Sequence, residues 1–109
     1  MKLPIELSGQ GVTITEALRE HAARRMAFAL RRFEHRIERV EVRLERQAGN
    51  VERRCSVRVR LRGMPTVHVT QVASVEYAAL DRAADRIRHT VARRLARRLT
   101  PPRGSVSAI

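Results

Sequence analysis

The apolar residues of this chain change their spacing along its length, and that change limits the folds open to it. From Ile37 the period is two. Val40, Val42 and Leu44 point one way, and Arg39, Glu41, Arg43 and Glu45 point the other. Cys55, Val57, Val59 and Leu61 repeat the pattern against Arg54, Ser56, Arg58, Arg60 and Arg62. Each run reads as a strand with one face buried. Gln47-Ala48-Gly49-Asn50 is the loop between them. After a hairpin turn at Gly63-Met64-Pro65, Val67 and Val69 continue a further strand, with His68 and Thr70 on its other face. Near the start, Leu3, Ile5 and Leu7 alternate as a short strand that ends in a turn over Ser8-Gly9-Gln10-Gly11.

Two segments carry the helical period instead. Ala17, Leu18, Ala22, Met26, Ala29, Leu30 and Phe33 are spaced for a helix that ends near Phe33 to His35. Thr13-Ile14-Thr15-Glu16 reads as its capping box, with Thr13 as N-cap and Glu16 at N3. Tyr77, Leu80, Ala84, Ile87, Val91, Leu95 and Leu99 form one long stripe, opened by Ser74 as N-cap and closed by Pro101-Pro102. The expected order is β-α-β-β-β-α. It predicts an α+β fold, a two-layer sandwich in which two helices cover one face of a four-stranded sheet.

At 109 residues there is room for one domain, expected over residues 1–100, with 101–109 as a short flexible C-terminal tail. No run of 18 apolar residues occurs, as a membrane span would require. Pro4 and Glu6 interrupt the apolar stretch that a secretory signal needs, and the one cysteine, Cys55, has no partner for an internal disulfide. The expectation is a cytoplasmic protein.

Charge supplies the functional signal. Lys and Arg total 23 against 11 Asp and Glu, a formal net charge of +12. All the basic groups except Lys2 are arginines. A field this strong on one small domain points to a polyanionic partner. Arg82, Arg86, Arg93 and Arg97 line one side of the last helix. Like charges four residues apart repel, so stability alone does not favour the stripe, whereas an anionic partner does. Arg24 and Arg25 on the first helix are expected to join it, giving a basic surface along both helices. The arginines of the outer sheet face read instead as partners for Glu41 and Glu45. Its strands carry no aromatic residue on which bases could stack, so phosphate contact and shape are the expected mode of binding.

Catalysis has little support. His21, His35, His68 and His89 are scattered, no metal-ligand spacing occurs, and Gly9-Gln10-Gly11 lacks the rest of a phosphate-loop fingerprint. Cys55 alternates into the core. Asp81 and Asp85 are expected to form salt bridges with Arg82, Arg86 and Arg88. No enzyme, no catalytic or metal-binding residue, no cofactor and no small-molecule substrate are expected.

The element order, the segment from Val12 to Glu20 (VTITEALRE) and Tyr77-Ala78-Ala79-Leu80-Asp81 together resemble the ribosome hibernation promoting factors. That family includes the ribosome-associated inhibitor A type and is also called the sigma-54 modulation proteins. Arg54-Cys55-Ser56-Val57-Arg58-Val59 is similar to a short proteobacterial branch. The resemblance implies a short-form factor that binds 16S rRNA in the messenger and transfer RNA channel of the small ribosomal subunit. It would block initiation and keep idle ribosomes intact under stress. It places the family's basic positions on Arg25 of the first helix and on Arg86, His89 and Arg93 of the second. Phe28 stands where typical members carry lysine, and Val75 where an aspartate commonly precedes the last helix. The rRNA-binding set expected is thus Arg24, Arg25, Arg82, Arg86, His89, Arg93 and Arg97. A general binder of structured RNA and a protein-interaction module are the alternatives, and the oligomeric state stays open.

Overall fold

The structure is a computed structural model that describes residues 3–99, with the side chains of 98 and 99 excepted. The tail over 101–109 and the side chain of Leu99 lie outside the described residues. The elements are β1 (Ile5–Gln10), α1 (Glu16–Leu30), β2 (Ile37–Glu45), β3 (Arg53–Leu61), β4 (Val67–Ala73) and α2 (Glu76–Leu99). A 3₁₀ stretch, Arg31–Arg36, joins α1 to β2. The sheet order is β1-β2-β3-β4. β1 runs parallel to β2, and the other two pairings are antiparallel. A parallel pair needs a long crossover, and α1 supplies it. This is the α+β sandwich expected from the periodicity.

The alternating residues build the core. Val40, Val42 and Leu44 of β2 and Cys55, Val57, Val59 and Leu61 of β3 are buried against Leu18, Ala22, Met26 and Leu30 of α1 and Leu80, Ala84, Ile87 and Val91 of α2. α2 packs across β3 and β4, while α1 packs beside it toward β1. Among the described residues no charged side chain is buried, and no helix is long and apolar enough to cross a membrane. The arginine charge of these residues therefore lies at the surface.

Several boundaries differ from the sequence reading. The N-cap of α1 is Thr15, not Thr13: its backbone is extended (φ −80°, ψ 164°) and its Oγ1 accepts a hydrogen bond from Leu18 N–H at 3.1 Å. Glu16 is then the first helical residue, where its carboxylate meets the positive end of the helix. β1 continues through Ser8 and Gly9 to Gln10, which pairs with Glu45, because backbone pairing needs no apolar side chain. The turn therefore begins only at Gly11. α1 tightens into the 3₁₀ stretch after Leu30, and Phe33 still reaches the core. Ile37 and Val40 are both buried although three residues apart, since the ladder shifts register between Ile37 and Arg39. A bulge at Glu38 absorbs the extra residue. At α2, Ala79 N–H donates to Val75 O at 3.1 Å, so Val75 rather than Ser74 holds the cap position. Tyr77 departs from the apolar stripe. It is 42% exposed and meets the His21 ring edge-on, with centroids 4.9 Å apart.

Cys55 is buried, and burial pushes its thiol pKa up to about 12 by disfavouring the thiolate. The thiol is the reactive species only when ionised. A disulfide reagent at pH 8 is therefore expected to leave Cys55 unmodified in the native protein and to label it fully in denaturant. Rapid native labelling would show that β3 opens readily.

Candidate nucleic-acid interface

α2 is polarised around its axis. Each residue advances the helix by 100°, so Asp81 and Asp85 lie on a different flank from Arg82, Arg86 and Arg93. The acidic flank faces α1. There Asp81 Oδ1 accepts a hydrogen bond from Arg25 Nε at 3.0 Å and pairs with His21 Nε2 at 2.8 Å. Arg25 Nη2 also donates to Asp81 O and Asp85 Oδ1, each at 3.3 Å. The carboxylates do form salt bridges as expected, but their partners come from the other helix and not from i,i+4 neighbours.

The arginine flank faces the β4 edge of the sheet. Arg82 Nη1 donates to Val72 O of β4 at 2.8 Å, which fixes the orientation of that flank. Arg86 and Arg93, with Thr90 between them, form one wall of a groove, and His68, Val69, Thr70 and Gln71 of β4 form the other. Arg86 and Arg93 are both exposed at the helix surface, and neither has an ion pair among the described residues. Thr90 Oγ1 donates to Arg86 O at 2.8 Å. His89 is exposed and lies 3.5 Å from Arg88 through its Nε2. Arg97 is exposed one turn beyond Arg93.

The seven expected residues thus fall into two groups. Arg82, Arg86, His89, Arg93 and Arg97 share one flank of α2. Arg24 and Arg25 do not join them, because Asp81 and Asp85 stand between. Arg24 is exposed, whereas the Arg25 side chain is only 28% exposed and committed to the helix seam. His68 and Thr90 belong to the groove although the sequence reading did not include them. Thr90 lies four residues beyond Arg86, a spacing that shares a flank, but the edge position of β4 beside α2 has no local sequence signal.

A role in the seam gives Arg25 its own expectation. Partly exposed pairs contribute modestly, so Arg25→Gln should lower stability by about 1 kcal/mol. RNA binding should stay within roughly threefold of wild type, equivalent to under about 0.7 kcal/mol. A urea melt and a binding titration on the same preparation check this. A loss of binding as large as that of an α2 variant would place Arg25 at the interface.

Among the described residues, ion pairing on the open face of the sheet is confined to the β1–β2 half. Arg39 is hydrogen-bonded to Glu6 and lies 3.7 Å from Glu41. The bond to Glu6, then the charges of Glu6 and Glu41, hold its pKa above the usual arginine value. Arg43 is bonded to Gln10 and lies 3.6 Å from Glu45. Among the described residues no group of His, Cys, Asp or Glu side chains is arranged to hold a metal ion.

Residues 5–99 match the family profile described as "Sigma 54 modulation protein / S30EA ribosomal protein". The chain belongs to this family. Its members' fold recurs in solved structures. The N-terminal domain of Protein Y from Thermus thermophilus is 30% identical, with 85% of this chain and 98% of that one covered and a TM-score of 0.69. A ribosomal subunit interface protein from Coxiella burnetii has a TM-score of 0.74 over 86% of this chain and 99% of its own. At 21% identity that second likeness is one of fold. Comparison with curated protein sequences gives no match. The family's description and the name of the Coxiella protein both refer to the ribosome, so the S30EA family fold meets here a flank of α2 rich in arginine.

Proposed function

We propose that this S30EA family member is a cytoplasmic hibernation factor that binds 16S rRNA of the small ribosomal subunit. It occupies the channel for messenger and transfer RNA, inhibits translation there, and shields idle ribosomes under stress. It acts by occupancy, with no bond made or broken and no cofactor. The observation that carries this reading is the segregation of charge on α2. Among the described residues Arg86 and Arg93 have no carboxylate partner on the β4 flank, while Asp81 and Asp85 are turned to α1 and held there. A helix built only for packing would gain from spreading its acids among its arginines. The family's description as a ribosomal protein, matched over residues 5–99, supports a ribosomal partner.

Co-sedimentation with purified ribosomal subunits, across a salt series, tests it. Saturable binding to the small subunit that is displaced by messenger and initiator transfer RNA is expected. Equal binding to unrelated structured RNAs, governed by salt alone, would replace it with a general polyanion binder.

A further inference from the structure

We propose that the β3–β4 half of the open sheet face is a second phosphate-binding surface. It would join the α2 arginines around the β4 edge, so that folded RNA contacts both sides of that edge. The proposal rests on the reading that the α2 flank binds RNA. Its starting point is where the unneutralised charge lies. Residues 53–75 contain five arginines and no acid; Arg53, on the core side of β3, is paired with Glu76 at 3.3 Å, which leaves Arg54, Arg58, Arg60 and Arg62 without an ion pair among the described residues. On β1 and β2 the arginines of the open face, Arg39 and Arg43, are satisfied by Glu6, Gln10, Glu41 and Glu45. On β3 they are not. Register sets Arg58 opposite Glu41 and Arg54 opposite Glu45, yet neither forms an ion pair among the described residues, because those carboxylates engage arginines of their own strand. Arg60 stands opposite Arg39, a like charge, which costs sheet stability. β4 adds no acid to compensate.

The two basic surfaces also meet. A shallow trough over the open face has Arg58, Ser56 and His68 along its β3–β4 side, while Arg43 and the carboxylates Glu6, Glu41 and Glu45 line its β1–β2 side. The groove on the other side of β4 is bordered by Arg86, Arg93 and the same His68. Only the width of β4, about 4.8 Å between strands, separates Arg58 from the edge. The edge is thus a narrow ridge with arginines on both flanks. Two neighbouring rows of phosphates in folded RNA present the complementary shape, with charge on either side of a gap. The face lacks the aromatic residues that single-strand stacking needs, and this favours a backbone contact of that kind.

The test compares three double variants: Arg58→Gln/Arg60→Gln on the sheet, Arg86→Gln/Arg93→Gln on α2, and, as the α1 variant, Arg19→Gln/Arg31→Gln at exposed positions of α1 and of the 3₁₀ stretch that follows it. All three lose the same charge. Binding to purified small subunits and to a short RNA duplex is titrated across salt, with melting curves to check the fold. Removing one phosphate contact should lower the slope of log K against log salt by about 0.7–0.9, so the sheet variant should lose roughly 1.4–1.8 and bind roughly 30- to 60-fold more weakly at about 0.1 M salt. The α1 variant should keep the wild-type slope. A sheet variant that keeps it too, while the α2 variant does not, overturns the second surface and leaves the proposed function standing. An unchanged α2 variant overturns both. Equal losses in all three would mean net charge alone, and equal competition by polyglutamate would mean an acidic chain; either result overturns the proposal.

Discussion

Charge reversal at Arg86→Glu/Arg93→Glu is expected to weaken binding to small ribosomal subunits at least ~100-fold, while thermal stability stays the same or rises. The two effects have opposite signs for a physical reason. Each phosphate released from its arginine costs about 1.2 kcal/mol at about 0.1 M salt, and a carboxylate in its place adds repulsion. Within the helix the change is favourable. Arg82 and Arg86 are an i,i+4 pair, and so are Arg93 and Arg97. Reversing one member of each turns two repulsions into two attractions, worth about 0.2–0.5 kcal/mol apiece. A variant that binds less and melts no lower separates interface from scaffold. Binding that survives would mean the wrong face has been assigned, and a fall in melting temperature would mean that this flank supports the fold.

The largest loss of stability from a small change is expected at Gly11. Its φ is +73°, and a Cβ there would sit 2.3 Å from the carbonyl oxygen of Arg46. That carbonyl cannot move aside, since Arg46 N–H donates to Gln10 O at 2.9 Å and closes the end of the β1–β2 ladder. Gly11→Ala thus combines a left-handed backbone, about 1–2 kcal/mol, with overpacking of about 1–3 kcal/mol. Together they remove a large part of the roughly 5–15 kcal/mol typical of a domain. Gly49→Ala is the comparison. Its φ is +79°, but a Cβ there meets nothing within 4 Å, so only the backbone cost applies. Urea denaturation of both variants reads the difference. Equal midpoints would mean that the chain relaxes around Gly11 and that the approach to Arg46 is not tight.

The strands were legible in the sequence because one face of each is dry. Val40, Val42 and Leu44, and Cys55 to Leu61, could alternate in only one register without exposing the core. The stripe on α2 was legible for the same reason. What escaped were features set by backbone or by tertiary neighbours. Thr13 and Thr15 are chemically alike, and only the path of the chain out of β1 selects Thr15 as the cap. The bulge at Glu38 shows locally as a break in alternation, but its effect depends on pairing with β3. Asp81 and Asp85 looked like partners for their own helix because the positions of His21 and Arg25 across the seam were hidden. The one-residue offset between Asp81 and Arg82 already contained the separation into flanks, since a single step turns the helix by about 100°. It could not say which flank would face α1. The α2 members of the candidate site were therefore readable, while the placement of Arg25 was not.

The parallel pairing of β1 with β2 has a consequence for the order of folding. β2, β3 and β4 are joined by the short loops 46–52 and 62–66, whereas β1 reaches β2 only across residues 11–36. Closing the longer loop costs more chain entropy before any contact rewards it. The meander and α2 should form the nucleus, with β1 docking last. Truncation of Val57 to alanine is then expected to slow folding, and truncation of Leu7 mainly to speed unfolding. The arginine-bearing half would in that case be assembled first, so that the edge proposed to bind RNA matures before the strand that completes the sheet.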